Sequence, residues 1–314
     1  MVQRSGSKGF TTSVVKLGIS IVAGSGAVQT ILSIQSAVAY GHVGNSAAVF
    51  PLQRLGHEVW PVYTVNFSNH TGYGAWRGPL IPPDDVREVV TGIEERGALA
   101  EVDLVLSGYQ GSGGIGDVVL DAVDRVRKAN PDARYACDPV MGNARSGCFV
   151  APAIPVLLRE RVVPKADIVT PNQFELGFLV GRDDDTPQTL EEIVATADRV
   201  REMGPDTVLV TSVEHADREP DTIGMMAVTG DGAWLVETPL LPLKANGSGD
   251  VTAALFSARL LEGGDPVSAL EQTTAAVFGL LQATLDSGRR ELQLVQAQEE
   301  YVAPGRTFTA TKLR

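Results

Sequence analysis

Cysteine is nearly missing from the 314 residues: Cys137 and Cys148 are too few for a disulfide framework and lack metal-ligand spacing. That scarcity fits a reducing cytoplasm. Positive charge is also in short supply, with 26 Lys and Arg against 38 Asp and Glu and a formal net charge of -12. Affinity for nucleic acid comes from neutralising phosphates with Lys and Arg, so broad contact of that kind is excluded. No G-x-x-x-x-G-K-[ST] run occurs, which removes the P-loop nucleotide hydrolases. The Gly-x-Ser-x-Gly elbow of serine hydrolases is absent too, and the four histidines have no zinc-binding spacing.

Long apolar runs are lacking as well. The stretch 13–28, SVVKLGISIVAGSGAV, follows Arg4 and Lys8 and has the outline of a secretory h-region. Lys16 interrupts it, and it is too short to span a bilayer. Residues 1–28 are better explained as a poorly ordered extension, or by an upstream start codon, ahead of a single domain from 29 to 314. Membrane residence is not expected.

What is present is an alternation of short β-rich runs with helical patterns, the mark of a mostly parallel sheet covered on both faces. Strands are expected at 30–35, 58–65, 103–107, 134–137, 168–170, 207–211, 223–229 and 233–237. Apolar residues at three- to four-residue spacing predict helices over 45–54, 84–95, 117–128, 151–161, 173–180, 189–203 and 250–261. The class is α/β.

Asn246-Gly247-Ser248-Gly249-Asp250 stands just before the last of these helices. Glycines at a helix start let N–H groups converge, and the helix dipole adds partial positive charge, so an anion is held without a basic side chain. Asp250 at the mouth of such a nest can take a proton from an alcohol attacking a bound phosphorus. Taken alone, an acid there is better explained as a helix cap. Gly111-Ser-Gly113-Gly-Ile-Gly116 matches G-x-G-x-x-G after a strand, as in dinucleotide-binding folds. The acid that would read the ribose, Asp138, runs directly into Pro139 and a further loop, which counts against that reading.

Seven blocks in order resemble the pyridoxal kinases of the ribokinase-like superfamily: ILSIQSAVAYGHVGNSAAVFPLQRLG, VNFSNHTGYGAW, LSGYQGS, ACDPVMG, ADIVTPNQFELGFLVGR, MGPDTVLVTS and GSGDVTAAL. The resemblance runs from about Thr30 to the C-terminus. It implies a three-layer α/β/α sandwich and transfer of the γ-phosphoryl group of ATP to the 5′-hydroxymethyl of pyridoxal. Asp250 would be the base, with Gly247, Ser248 and Gly249 forming the anion hole. Ser36 and Thr71 would bond the pyridine ring and its substituents, and Val43, Phe67, His70 and Tyr109 would wall it. ATP would meet Asp138, Thr170, Asn172, Glu175, Thr211, Ser212 and Gly247, with Mg²⁺ near Asp138, Glu175 and Thr170 and with K⁺ as a second cation. The loop 143–149 would act as a lid.

Two positions depart from the family pattern. Asn143 stands where eukaryotic relatives carry an acid, and Thr211 replaces the lysine of one bacterial branch. The resemblance further implies a cytoplasmic homodimer whose partners are ATP and pyridoxal. Two alternatives stay open: a hydroxymethylpyrimidine kinase, which shares the fold and the base, and a non-catalytic B6-binding protein.

Overall fold

The computed structural model describes residues 28–144, 146–182, 186 and 188–314. The extension expected over 1–28 therefore lies, except for its last residue, outside the described residues.

The chain enters the centre of the molecule at once. β1 (Thr30–Tyr40) is buried from Ile31 to Val38 because strands flank it on both sides, β2 (Glu58–Asn69) and β3 (Leu104–Ser107), both parallel to it. A strand buried on two faces reads as a continuous apolar run, as TILSI does. β4 (Arg134–Cys137), β7 (Ile168–Val169) and β8 (Thr207–Val213) continue the parallel ladder. β9 (Thr222–Thr229), β10 (Gly232–Pro239) and β11 (Thr311–Lys312) then close the sheet with antiparallel pairs. Its order is β11-β10-β9-β8-β7-β4-β3-β1-β2. A separate hairpin pairs β5 (Gly142–Asn143) with β6 (Gly147–Cys148).

Side chains alternate across the sheet, so Leu32 and Ile34 point to one layer and Ile31 to the other. The first layer contains α2 (Pro83–Glu94), α3 (Gly113–Ala129), α4 (Ala153–Leu157), α5 (Gln173–Leu179) and α6 (Leu190–Arg201), packed through residues such as Val90, Val119 and Ile193. The opposite layer contains α1 (Asn45–Arg54), α7 (Ser248–Gly263) and α8 (Pro266–Asp286), which bury Leu52, Phe256 and Leu270. The result is the expected α/β/α sandwich around a mostly parallel sheet.

α8 is the one long helix not anticipated. Asp265 caps it, accepting from the N–H groups of Val267 and Ser268, and Pro266 occupies its first turn. Ala269, Leu270, Thr273, Ala276, Phe278 and Leu280 are all buried, so it has no clean polar stripe to signal a helix.

Candidate active site

The parallel strands all deliver their C-terminal ends to one edge, where open α/β sheets place their ligands. Here β1 contributes Ser36, and the turn after β3 contributes Tyr109. Asp138 follows β4, Thr170 follows β7, and Thr211 lies in β8. All five line one cavity of about 270 Å³.

One wall is apolar. Val38, Val43, Val65 and Phe67 form a cluster separate from the main core, with Tyr109 packed against it. His70 and Thr71 complete that side. His70 Nδ1 accepts from the N–H of Gly72 at 3.0 Å, so the neutral ring carries its proton on Nε2. Burial is the main cause holding His70 below its usual range, which favours this neutral form.

The floor is the start of α7. Gly247 has a left-handed φ of 89°, and a Cβ there would fall 1.8 Å from the carbonyl oxygen of His42. Only glycine fits that approach. At Gly249 an added Cβ meets nothing within 4 Å. Among the described residues, no group accepts from the N–H groups of Gly247, Ser248 or Gly249, so the nest is free to bind. Ser248 itself turns away, its Oγ donating to the carbonyl of Ala245 at 3.3 Å.

Asp250 faces the cavity. Burial pushes its carboxyl up to about 6, while hydrogen bonds from the N–H of Gly44 and from its own N–H pull the other way. Gly44 is pressed onto Ser36, since a Cβ on it would fall 2.3 Å from Ser36 Oγ. One peptide therefore touches both the ring side of the cavity and the carboxylate.

The remaining wall holds two more acids. Asp138 accepts from Thr170 Oγ1 at 3.2 Å, and burial, then the neighbouring Glu175 and Asp250, hold it well above the carboxylate range. Glu175 is raised to about 7 by burial, against the pull of three backbone N–H groups. Those donors are Met141 at 2.8 Å, Gly142 at 3.2 Å and Asn172 at 3.0 Å. Asn172 and Glu175 form a capping box on α5, and Asn172 Nδ2 also donates to the carbonyl of Gly142 at 2.8 Å. Together they clamp the base of the β5–β6 hairpin, which overlaps the segment 143–149 expected as a lid; residue 145 lies outside the described residues. Phe149 N–H donates to the carbonyl of Met141 at 3.0 Å, and Phe149 lines the cavity while half exposed.

Of the residues singled out from sequence, Ser36, Val43, Phe67, His70, Thr71, Tyr109, Asp138, Thr170, Asn172, Glu175, Thr211, Gly247, Gly249 and Asp250 meet in this one cavity. Ser248 and Ser212 do not line it. Ser212 is exposed at a register shift between β8 and β9, with a φ of 53° that few non-glycine residues adopt. Val38, Val65, Val140 and Gly142 line the cavity without having been singled out, although all four lie inside the blocks that carry the family resemblance. Two of the three glycines of the rival motif serve packing instead, while a Cβ on Gly113 would meet nothing within 4 Å. A Cβ on Gly111 would come 2.9 Å from Val65, and one on Gly116 would come 2.5 Å from Leu157 on α4.

A family model described as phosphomethylpyrimidine kinase matches residues 101–294. Pyridoxal kinase PdxY of Leifsonia xyli subsp. xyli is 67% identical over 283 residues, covering 90% of this chain and 99% of that one. The chain belongs to the pyridoxal kinase family. Another pyridoxal kinase, that of Corynebacterium diphtheriae, is 57% identical over 284 residues, with 90% of this chain and 99% of the relative covered. Pyridoxal kinase from Leishmania donovani, solved with ADP and pyridoxamine, superposes with a TM-score of 0.84 at 28% identity, over 91% of this chain and 100% of that one. The fold of this chain is the ribokinase-like one it shares with that kinase. Among the described residues no helix is long and apolar enough to cross a membrane.

Proposed function

We propose that this chain is an ATP-dependent pyridoxal kinase that transfers the γ-phosphoryl group to the 5′-hydroxymethyl of pyridoxal and works in that order of contacts: ring wall, alcohol, base, phosphate. The observation that carries the reading is the convergence, in one cavity, of an apolar ring wall, unbonded N–H groups at a helix start, and Asp250 between them. A flat aromatic ring of low polarity needs apolar walls with a few placed polar groups. Val43, Phe67 and Tyr109 supply the walls, while Ser36, Thr71 and the Nε2–H of His70 supply the polar contacts.

Phosphoryl transfer asks a protein mainly for positioning and charge stabilisation. The N–H groups of residues 247–249 steady the transferring group, and Asp250, ionised above about pH 6, accepts the alcohol proton. Burial raises Asp138, Glu175 and Asp250, neighbouring acids raise the first two further, and no cationic side chain among the described residues opposes the rise; carboxylate and hydroxyl oxygens of this kind suit a hard divalent ion. Asp138 with Thr170 would hold Mg²⁺ directly, and Glu175, whose oxygens already serve three N–H groups, would act through water; the ion supplies neutralisation of the phosphate charge. Among the described residues no three acids, histidines or cysteines are grouped so as to hold a metal ion by themselves. Thr170, Asn172 and Thr211 are the oxygen donors available for K⁺. A cytoplasmic homodimer belongs to the same proposal, and analytical ultracentrifugation checks the dimer.

The test is ATP consumption with pyridoxal, pyridoxine and pyridoxamine, each with and without Mg²⁺ and K⁺. Turnover that needs Mg²⁺ and a B6 alcohol is the expected result. The matching family model keeps one second reading alive, a hydroxymethylpyrimidine kinase. In a coupled assay offering both alcohols, preference for the pyrimidine would replace the pyridoxal reading. Tight B6 binding without any ATP turnover would point to a carrier instead.

A further inference from the structure

Glu291, in the segment after α8, joins three parts of the chain that are far apart in sequence. The Tyr73 hydroxyl donates to one of its carboxylate oxygens, Oε1, and the N–H of His42 donates to the other, Oε2, at 3.2 Å. The Arg290 guanidinium lies 3.9 Å above the centroid of the Tyr73 ring, and Tyr40 meets that ring edge-on at 6.1 Å between centroids. Glu291 also fills the space a side chain would need at residue 41. A Cβ on Gly41 would come 2.2 Å from Oε2, and Gly41 has a left-handed φ of 89°. The bond to Glu291 is the main cause lifting the Tyr73 hydroxyl to about 12, so the phenol keeps the proton it donates.

None of these groups touches the reacting centre, yet each adjoins one that does. Tyr73 closes the short 3₁₀ turn Thr71–Tyr73, which His70 caps and which carries Thr71 into the cavity. His42 precedes Val43 and Gly44 in the loop after β1, and its carbonyl abuts Gly247. That loop places Val43 on the ring wall and Gly44 N–H on Asp250. A carboxylate suits the junction because two donors, from two different segments, need one acceptor oxygen each.

We infer that Glu291 is a positioning residue for the acceptor, an inference that rests on the pyridoxal kinase reading above. It latches the turn carrying His70 and Thr71 to the loop carrying Val43 and Gly44, so the ring wall is closed at the height where the alcohol meets Asp250. The acids that follow β4 and lie on α5 have no part in the latch, whose contact with the phosphate side is the His42 carbonyl against Gly247.

Three variants of the full chain test it. Tyr73→Phe removes one hydroxyl, Glu291→Ala removes the carboxylate, and Glu291→Gln keeps an acceptor for His42 and an amide donor for the Tyr73 oxygen. In Tyr73→Phe and Glu291→Ala the KM for pyridoxal is expected to rise roughly ten-fold, the size of one charge-assisted hydrogen bond, with the KM for ATP within about two-fold. Glu291→Gln recovers most of that loss. Hydrogen–deuterium exchange without substrate speeds up in Glu291→Ala over residues 41–44 and 70–74. Equal rises in both KM values, or unchanged exchange in both segments, overturn the inference. A wild-type chain inactive on pyridoxal would sink the functional reading instead, and the exchange result would still decide the latch.

Discussion

Glu175 and Asp250 are both carboxylates in the first turn of a helix, both lifted by burial, and both on the same cavity, yet their surroundings differ in kind. Glu175 closes a capping box, and its two oxygens serve three backbone donors. Asp250 follows a helix start with no side-chain cap, and the glycine N–H groups before it have no acceptor among the described residues. A missing cap alone does not make a site, since α1, α2 and α3 also start without a side-chain cap; what sets α7 apart is that its uncapped start lines the cavity. At α5 the orphan donors are satisfied by side chains, which makes a rigid clamp. At α7 they are left for a ligand.

The contrast is broken most forcefully at Asp250. Asp250→Asn is expected to lower turnover by roughly 10²-fold or more while ATP affinity holds, as loss of a general base does; steady-state kinetics in both substrates check this. The same variant sharpens the comparison through stability. The folded carboxyl sits near 6 against an ordinary value of 3.8. Stability is therefore lost as pH rises from about 3.8 through 6, and the penalty is complete above that. Removing the charge is expected to stabilise the protein at pH 7.5 by about 1–2 kcal/mol, read by thermal melts.

Asn172→Ala attacks the other side. It removes the cap of α5 and the tie to Gly142, at a cost of about 1–2 kcal/mol in stability. A several-fold rise in the KM for ATP is expected, with the KM for pyridoxal little changed. Equal change in both would erase the division between the two walls. The pH profile gives a gentler test: kcat/KM falls as pH drops through about 6, where Asp250 takes up a proton. The smallest effect is expected at Ser212. Ser212→Gly relieves a left-handed backbone and stabilises by roughly 0.5–1 kcal/mol, and kinetics stay unchanged because the side chain stands outside the cavity.

Much of this was legible in the residues, and the exceptions have physical causes. The run TILSI and the helix 45–54 are local patterns, so period alone locates them. β1 continues past Gln35 to Tyr40 because the sheet supplies pairing across a register shift, which no local pattern records. α8 escaped because burial on several sides erases the amphipathic stripe, although Asp265 and Pro266 did mark its start. The NGSGD segment announced a nest, but sequence could not separate a withheld cap from a filled one. Ser212 shared a block with Thr211 and was carried along with it, and only the register shift separates them. Glu291 gave no signal at all, since Tyr73 lies 218 positions away.

The bare backbone at Gly44 limits how the enzyme can be retargeted. Against the rise from burial, its amide is one of the groups that lower the Asp250 pKa, and a side chain on it would run into the Ser36 hydroxyl. With Asp250 in the proposed role of base, enlarging residue 36 to admit a different alcohol is expected to push on the peptide beside it, so that selectivity and speed change together. Libraries that randomise Ser36 alone are expected to yield sluggish catalysts, and useful ones will need compensating changes in the loop behind it.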